Sequence, residues 1–275
     1  MSDNPYPQLA VAGSGAIATG LAALASRDSE RVWILARSEE SAAKATAAVE
    51  KSAGRIEGAD PARVTATTDP ADLADAKLMV EAIVEDLDAK AEILNTLGHA
   101  APEADLSTTT SSLSITTLAQ SCGHPERVFG LHVFNPVPVM NLVEICLPDS
   151  ADPLIGDRAR RWCEALGKTP VFVPDTPGFV VNRLLFPYLF DAARFQAKTG
   201  MTSEDVDTCM TLGVAHPMGP LALLDLIGLD VAVAIGEALH HESDNEDHLA
   251  PEPIQRLVAE GHLGRKTGSG FYEYG

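Results

Sequence analysis

Residues 13–18 read Gly-Ser-Gly-Ala-Ile-Ala, directly after a short apolar run at 9–12 and directly before a helical pattern at 19–25. Strand, GxGxxA turn and helix in that order open a βαβ nucleotide-binding unit. Gly13 permits the tight turn, Gly15 lets a pyrophosphate approach the backbone, and the small Ala18 keeps helix and strand close. Ala16 and Ile17 belong to the same turn, just ahead of the helix, whose N-terminus favours a phosphate. A second strand at 31–35 follows, as such a unit requires. A bland Gly-rich turn would not need these neighbours.

The end of that second strand selects the cofactor. An acidic residue there bonds the ribose 2′-hydroxyl of NAD, whereas an Arg accommodates the 2′-phosphate of NADP. This chain reads Leu35-Ala36-Arg37-Ser38, with no acid, then a guanidinium and a hydroxyl. Arg37 suits a phosphate through charge-assisted bonds, and Ser38 adds one more. NADP is the expected cofactor, with NAD as the alternative. Glu39 and Glu40 come next, and they fit the first turn of a helix capped by Ser38.

Further on, strands are expected at 63–67, 78–84 and 106–110, with helices at 40–51, 72–76, 90–97 and 115–121. Strands and helices in alternation specify a doubly wound α/β fold with a largely parallel sheet. The hydroxyl run at 107–112 follows a strand, where such sheets bind ligands, although an ordinary polar loop reads the same way.

At 128–131 an apolar run ends in His132. Asn135 and Pro136 break it, and a second apolar run carries Glu144. Two strands joined by this Pro-rich turn bring His132 and Glu144 side by side. A carboxylate on one imidazole nitrogen fixes the tautomer and leaves the other nitrogen to exchange a proton near neutral pH. A core histidine beside a solvated glutamate is the alternative for such a pair taken alone.

A helix at 154–166 and a strand at 170–173 precede Pro174-Asp175-Thr176-Pro177-Gly178, the best domain boundary in the chain. It divides a dinucleotide-binding domain, 1–175, from an all-helical domain, 176–275. Helices are expected at 179–196, 203–212, 221–226, 230–240 and 253–260. The helix at 179–196 is apolar almost all round, which fits burial between domains or subunits and points to a homodimer. His240, His241 and His248 lack ligand spacing and read as solvated.

The formal net charge is −19, which argues against nucleic acid or an anionic membrane as partner. A phosphate-rich ligand must then be held by local devices rather than a general positive field. No run is long enough to span a bilayer, and no leader is evident. The four cysteines are widely spaced, without a metal-like cluster, so reduced thiols, a cytoplasmic location and no metal are expected.

Seven segments together resemble the 3-hydroxyacyl-CoA dehydrogenase family, close to its short 3-hydroxybutyryl-CoA type. They are GSGAIA at 13–18, VEAIVED at 80–86, TSSL at 110–113, GLHVFNPVPVMNLVE at 130–144, DTPGFVVNR at 175–183, HPMGPLALLDLIGLD at 216–230 and GRKTGSGFYEY at 264–274. The resemblance implies a Rossmann domain followed by a helical domain that usually dimerises, and an acyl-CoA substrate. It implies that His132 is the general acid and base, oriented by Glu144, and that Ser111 and Asn182 bind the substrate oxygen. Asn135 would shape the nicotinamide and acyl pocket, while Glu85, Lys90 and Lys266 match cofactor-contacting positions.

Four departures stand out. Ala36 replaces the usual acid, Thr109 an Asn, and Asn141 a Lys. The stretch at 41–62 is shorter than in typical members, where a projecting helical pair contacts the CoA nucleotide. Lys44, Lys51 and Arg55 are the candidates for CoA phosphates there, or else ordinary surface charges. A dehydrogenase of a free hydroxy acid or polyol, without CoA, is the alternative.

Overall fold

A computed structural model describes residues 4–275. The chain forms two compact units, the first ending at Asp175 and the second spanning Thr176–Gly275.

The first unit carries β1 (Gln8–Ala12), α1 (Ala16–Ala25), β2 (Arg31–Leu35), α2 (Glu39–Ala53), β3 (Val64–Thr67), β4 (Leu78–Glu81) and α3 (Leu87–Ala100). It continues with β5 (Asp105–Thr108), α4 (Ile115–Ser121), β6 (Val128–Val133), β7 (Leu142–Cys146), α5 (Leu154–Ala165) and β8 (Thr169–Val173). These strands form one sheet in the order β3-β2-β1-β4-β5-β6-β7-β8. From β3 to β6 every pairing is parallel, β7 returns antiparallel to β6, and β8 lies parallel to β7. The order reverses between β1 and β4, so the loops at the C-terminal ends of these strands flank one crevice.

Central strands of such a sheet are buried on both faces and read as near-continuous apolar runs. On one face Leu9, Val11, Val32, Ile34, Leu78, Val80 and Phe129 pack with Leu21 of α1, Val49 of α2 and Trp162 of α5. Each large apolar side chain so buried contributes about 1.5–3 kcal/mol.

Several element boundaries differ from the sequence expectation, each through a side chain that bonds the backbone. The strand expected to reach residue 84 stops at Glu81, whose carboxylate accepts the Ile83 N–H at 2.7 Å and turns the chain. The helix expected at 72–76 is a 3-10 turn at Pro70–Leu73, capped by Asp69. Arg63, expected in a strand, lies in a 3-10 turn, and its guanidinium donates to the Ser26 and Ser29 carbonyls past the end of α1.

The second unit is helical: α6 (Val181–Thr199), α7 (Ser203–Gly213), α8 (Pro220–Ile227), α9 (Leu229–Ser243) and α10 (Glu252–Ala259), with 3-10 turns at Glu246–His248 and Arg265–Thr267. Its core gathers Phe186, Leu189 and Phe190 of α6 with Leu221, Leu224, Leu229, Leu239 and Ile254. His248 is buried rather than solvated. Its Nδ1 lies 2.6 Å from the Ser243 hydroxyl at the end of α9, a polar partner the spacing did not reveal.

Candidate active site

Gly13 leaves β1 with φ +130°, donating its N–H to the Leu35 carbonyl at 2.9 Å. A Cβ there would stand 2.3 Å from the Ala82 carbonyl oxygen, so only glycine fits. Gly15 instead faces open space, with nothing within 4 Å of a Cβ. It is the N-cap of α1 and offers no side chain to the first-turn N–H groups. Ser14, Gly15 and Ala16 are exposed, Ile17 is half-buried, and the buried Ala18 closes the turn against Gly13. An open, uncapped helix N-terminus beside backbone that approaches closely fits the pyrophosphate of a dinucleotide.

At the end of β2, Ala36 is buried and Arg37 exposed. Ser38 caps α2 by accepting the Ser41 N–H, with Glu39 and Glu40 in the first turn. Lys44 pairs with Glu40 at 2.7 Å on the exposed face, and Lys51 lies exposed in the last turn. The stretch at 41–62 therefore forms a single helix and turn, and α2 packs on α1.

Beyond β4 and β5 the two crevice loops are bound together by Glu85. Its Oε1 accepts the Thr110 hydroxyl at 2.6 Å, the Ser111 and Ser112 N–H groups at 2.8 and 3.1 Å, and the Ser112 hydroxyl at 3.0 Å. The Ser111 hydroxyl lies 3.3 Å from the same oxygen. Lys90 is only 1% exposed and sits between Glu81, at 2.8 Å, and Glu85, at 3.3 Å. Partial burial pushes the Glu85 carboxyl up, but the Lys90 ammonium and the Thr110, Ser111 and Ser112 donors outweigh it and hold Glu85 below the usual glutamate range.

On β6, antiparallel pairing with β7 sets Glu144 directly opposite His132. Both are buried, and His132 Nδ1 stands 2.6 Å from Glu144 Oε2. A carboxylate at that distance requires the proton on Nδ1, which assigns proton exchange to Nε2. Phe134 packs against the imidazole, ring centroids 4.5 Å apart. Two positions before the histidine, Gly130 makes room for α4, since a Cβ there would lie 2.9 Å from Ile115 Cδ1. The N-terminus of α4 is itself tied down by Asp175, which accepts the Ile115 and Thr116 N–H groups at 2.9 and 2.8 Å.

Asn135 is exposed in the loop after β6. Lys168, buried and donating to the Val137 and Met140 carbonyls at 2.6 and 2.7 Å, fastens that loop from below. Burial, together with Arg27, pushes its ammonium below the ordinary lysine value.

In the second unit Asn182 is buried in the first turn of α6. Lys266 bonds Asp230, both half-exposed. Two buried carboxylates unremarked in the sequence shape this unit. Asp207 accepts the Leu221 and Ala222 N–H groups at the start of α8, and Asp225 accepts those of Phe271 and Tyr272. Glu81, Asp175 and Lys168 are likewise residues that sequence reasoning passed over. Among the described residues no cluster of three or more His, Cys, Asp or Glu is placed to hold a metal ion, and no helix is long and apolar enough to cross a membrane.

A dinucleotide cradle with a buried His–carboxylate pair at the C-terminal edge of a doubly wound sheet defines the class of nicotinamide-dependent oxidoreductases. Comparison with known proteins narrows it. The 3-hydroxyacyl-CoA dehydrogenase NAD binding domain matches residues 8–176, and the C-terminal domain of the same family matches residues 178–274. The 3-hydroxybutyryl-CoA dehydrogenase of Clostridioides difficile is 37% identical, over 97% of this chain and 99% of that one. Among solved structures, Mycobacterium tuberculosis FadB2 superimposes with a TM-score of 0.92 at 37% identity, covering 98% of this chain and 99% of that chain. The (S)-3-hydroxybutyryl-CoA dehydrogenase of Ralstonia eutropha gives 0.91 at 33% identity, with 98% and 99% covered. The chain belongs to the 3-hydroxyacyl-CoA dehydrogenase family.

Proposed function

We propose that this chain interconverts a short-chain 3-hydroxyacyl-CoA and the matching 3-ketoacyl-CoA, with NADP as the preferred cofactor. The observation that carries this reading is the 2.6 Å contact between His132 Nδ1 and Glu144. When bound, the nicotinamide accepts or returns the hydride. His132 takes the hydroxyl proton at Nε2 during oxidation and returns it during reduction, while Glu144 holds the imidazole in place and stabilises its charged form. The Ser111 hydroxyl and the Asn182 amide bind the reacting oxygen, and Asn135 shapes the pocket after β6. Gly13, Gly15, Ala16 and Ile17 cradle the pyrophosphate. Glu85 and Lys266 are the further cofactor contacts in this reading, and the buried Lys90 serves the cofactor by holding Glu85. The first unit is thus the dinucleotide-binding domain and the second the substrate and dimerisation domain of a cytoplasmic homodimer.

Cofactor choice rests on Ala36 and Arg37. Ala36 neither bonds a 2′-hydroxyl nor repels a 2′-phosphate, and Arg37 supplies a fixed positive fork. One charge-assisted hydrogen bond is worth about 1.5–3 kcal/mol, or about 10- to 150-fold discrimination. The test is acetoacetyl-CoA reduction with NADPH and with NADH, in the native protein and in Arg37→Ala. The native ratio is expected well above one, collapsing in the variant through a higher KM for NADPH. A native preference for NADH rejects the role of Arg37.

A second reading drops CoA and leaves a free hydroxy acid as substrate. The single helix at Glu39–Ala53, in place of a projecting pair, favours it. Lys44, already paired with Glu40, and Lys51 remain as the contacts to CoA phosphates in the first reading. Activity on acetoacetate equal to that on acetoacetyl-CoA would decide for the second.

A further inference from the structure

Glu81 is a fully buried carboxylate at the C-terminal end of β4 that none of the roles above employs. Parallel pairing places it beside Thr108 of β5, whose hydroxyl donates to its Oε2 at 2.6 Å. The Glu81 carbonyl accepts the Thr109 N–H at 2.9 Å. Its Oε1 takes the Ile83 N–H at 2.7 Å and the Lys90 ammonium at 2.8 Å. One residue therefore anchors both loops where they leave the sheet.

The chain of contacts continues outward. Lys90 reaches Glu85 Oε2 at 3.3 Å, and the other Glu85 oxygen gathers Thr110, Ser111 and Ser112. A buried ammonium is tolerated only with charge compensation and well-made hydrogen bonds. Glu81, inside the sheet, has no room to move, whereas Glu85 is 38% exposed and sits on a loop. Glu81 thus sets where the Lys90 ammonium points, and Lys90 sets the carboxylate on which Ser111 is hung. A hydroxyl that must meet a reacting oxygen depends on such supporting contacts for its aim.

We propose that Glu81 is a positioning residue for this reaction: through Lys90 and Glu85 it fixes the loop presenting the Ser111 hydroxyl, touching neither substrate nor cofactor itself. The inference rests on the reading above, in which Ser111 binds the reacting oxygen. Glu81→Gln preserves shape and removes the charge. Acetoacetyl-CoA reduction is measured in the native protein, Glu81→Gln, Ser111→Ala and the double variant. Glu81→Gln is expected to lower kcat by about 10-fold or more. In the Ser111→Ala background the same change should cost under about 2-fold, because the hydroxyl it positions is already gone.

Costs that multiply in the double variant overturn the proposal, since a residue that only supports the fold acts independently of Ser111. Unchanged turnover in Ser111→Ala overturns it as well. If Glu81→Gln does not fold, Glu81→Asp keeps the buried charge opposite Lys90 but shortens its reach, and is read by the same comparison with Ser111→Ala. A native protein inactive on acetoacetyl-CoA with either nucleotide rejects the functional reading and this inference with it. Native activity with multiplying costs rejects the inference alone.

Discussion

His132 is where the proposed chemistry is most exposed to test. Its Nδ1 is committed to Glu144, so the imidazole has a defined tautomer and a defined direction. Replacing it with Gln keeps a polar side chain but removes the nitrogen that exchanges the proton. Turnover of His132→Gln should fall about 100-fold or more, with little change in nucleotide binding, as expected for lost general acid–base catalysis. Near-normal turnover would end the assignment. Glu85 gives a second prediction, in stability. Its folded-state carboxyl is held below the ordinary value by Lys90 and the loop donors, although partial burial opposes them. Its stabilising contribution is therefore complete above the unfolded glutamate value of about 4.3 and is lost as pH falls through the lower folded value. The Tm gap between the native protein and Glu85→Gln should be constant from neutral pH to about 5 and shrink below about 4. A gap that widens on acidification contradicts this sign. The His–Glu pair was legible because the motif spells out both strands and the turn between them. Glu81, Lys168 and Asp175 were not, because each finds at least one partner, across gaps of 27, 31 and 60 residues, that only the fold brings near.

Among the elements, β6 and α4 hold the histidine in register. The strands and helices of the first unit follow from their apolar runs and Gly-rich turn, so their existence was readable in the sequence. Their ends were less so, since Asp69 and Glu81 bond backbone two residues on and decide where each element stops, and Arg63 bonds carbonyls at the end of α1, 34 or more residues away. Gly130 shows the same limit from another side. Within an apolar strand it reads as a weak point, yet it is the place where α4 crosses close to the sheet. A methyl there would meet Ile115 Cδ1 at 2.9 Å and Cys146 Cβ at 3.1 Å. The strand must shift or α4 must lift, and His132 lies two residues on. Gly130→Ala should cost about 1–3 kcal/mol by overpacking, measured by denaturant unfolding. It should also lower kcat more than it raises KM. A variant as stable and active as the native protein would show that α4 yields without moving β6.

At the scale of the whole molecule, a net charge of −19 sits awkwardly with a ligand rich in phosphates, and the first unit answers with local devices rather than a field. The same charge bears on assembly. Leu184 and Phe195 of α6 are 68% and 51% exposed, and Leu212 at the end of α7 is 81% exposed. In the proposed homodimer, outward apolar side chains such as these would lie in the interface. A second copy is the simplest occupant, because a two-fold axis lets one apolar patch bury its own equivalent. A stable interface of this kind buries about 1,600 Å² in total, of which only the apolar centre supplies most of the affinity. Two chains that are each strongly negative repel at long range, and salt screens that repulsion over about 10 Å at 0.1 M. Sedimentation at micromolar concentration should therefore show a species of twice the 29.0 kDa chain mass, with association strengthening as salt is raised. Leu184→Glu adds charge at the patch without touching the core of the unit, and should shift the protein toward the single-chain mass. A native chain that sediments as a fully active monomer at every salt concentration would assign these side chains to the surface alone, and the proposed homodimer would fall.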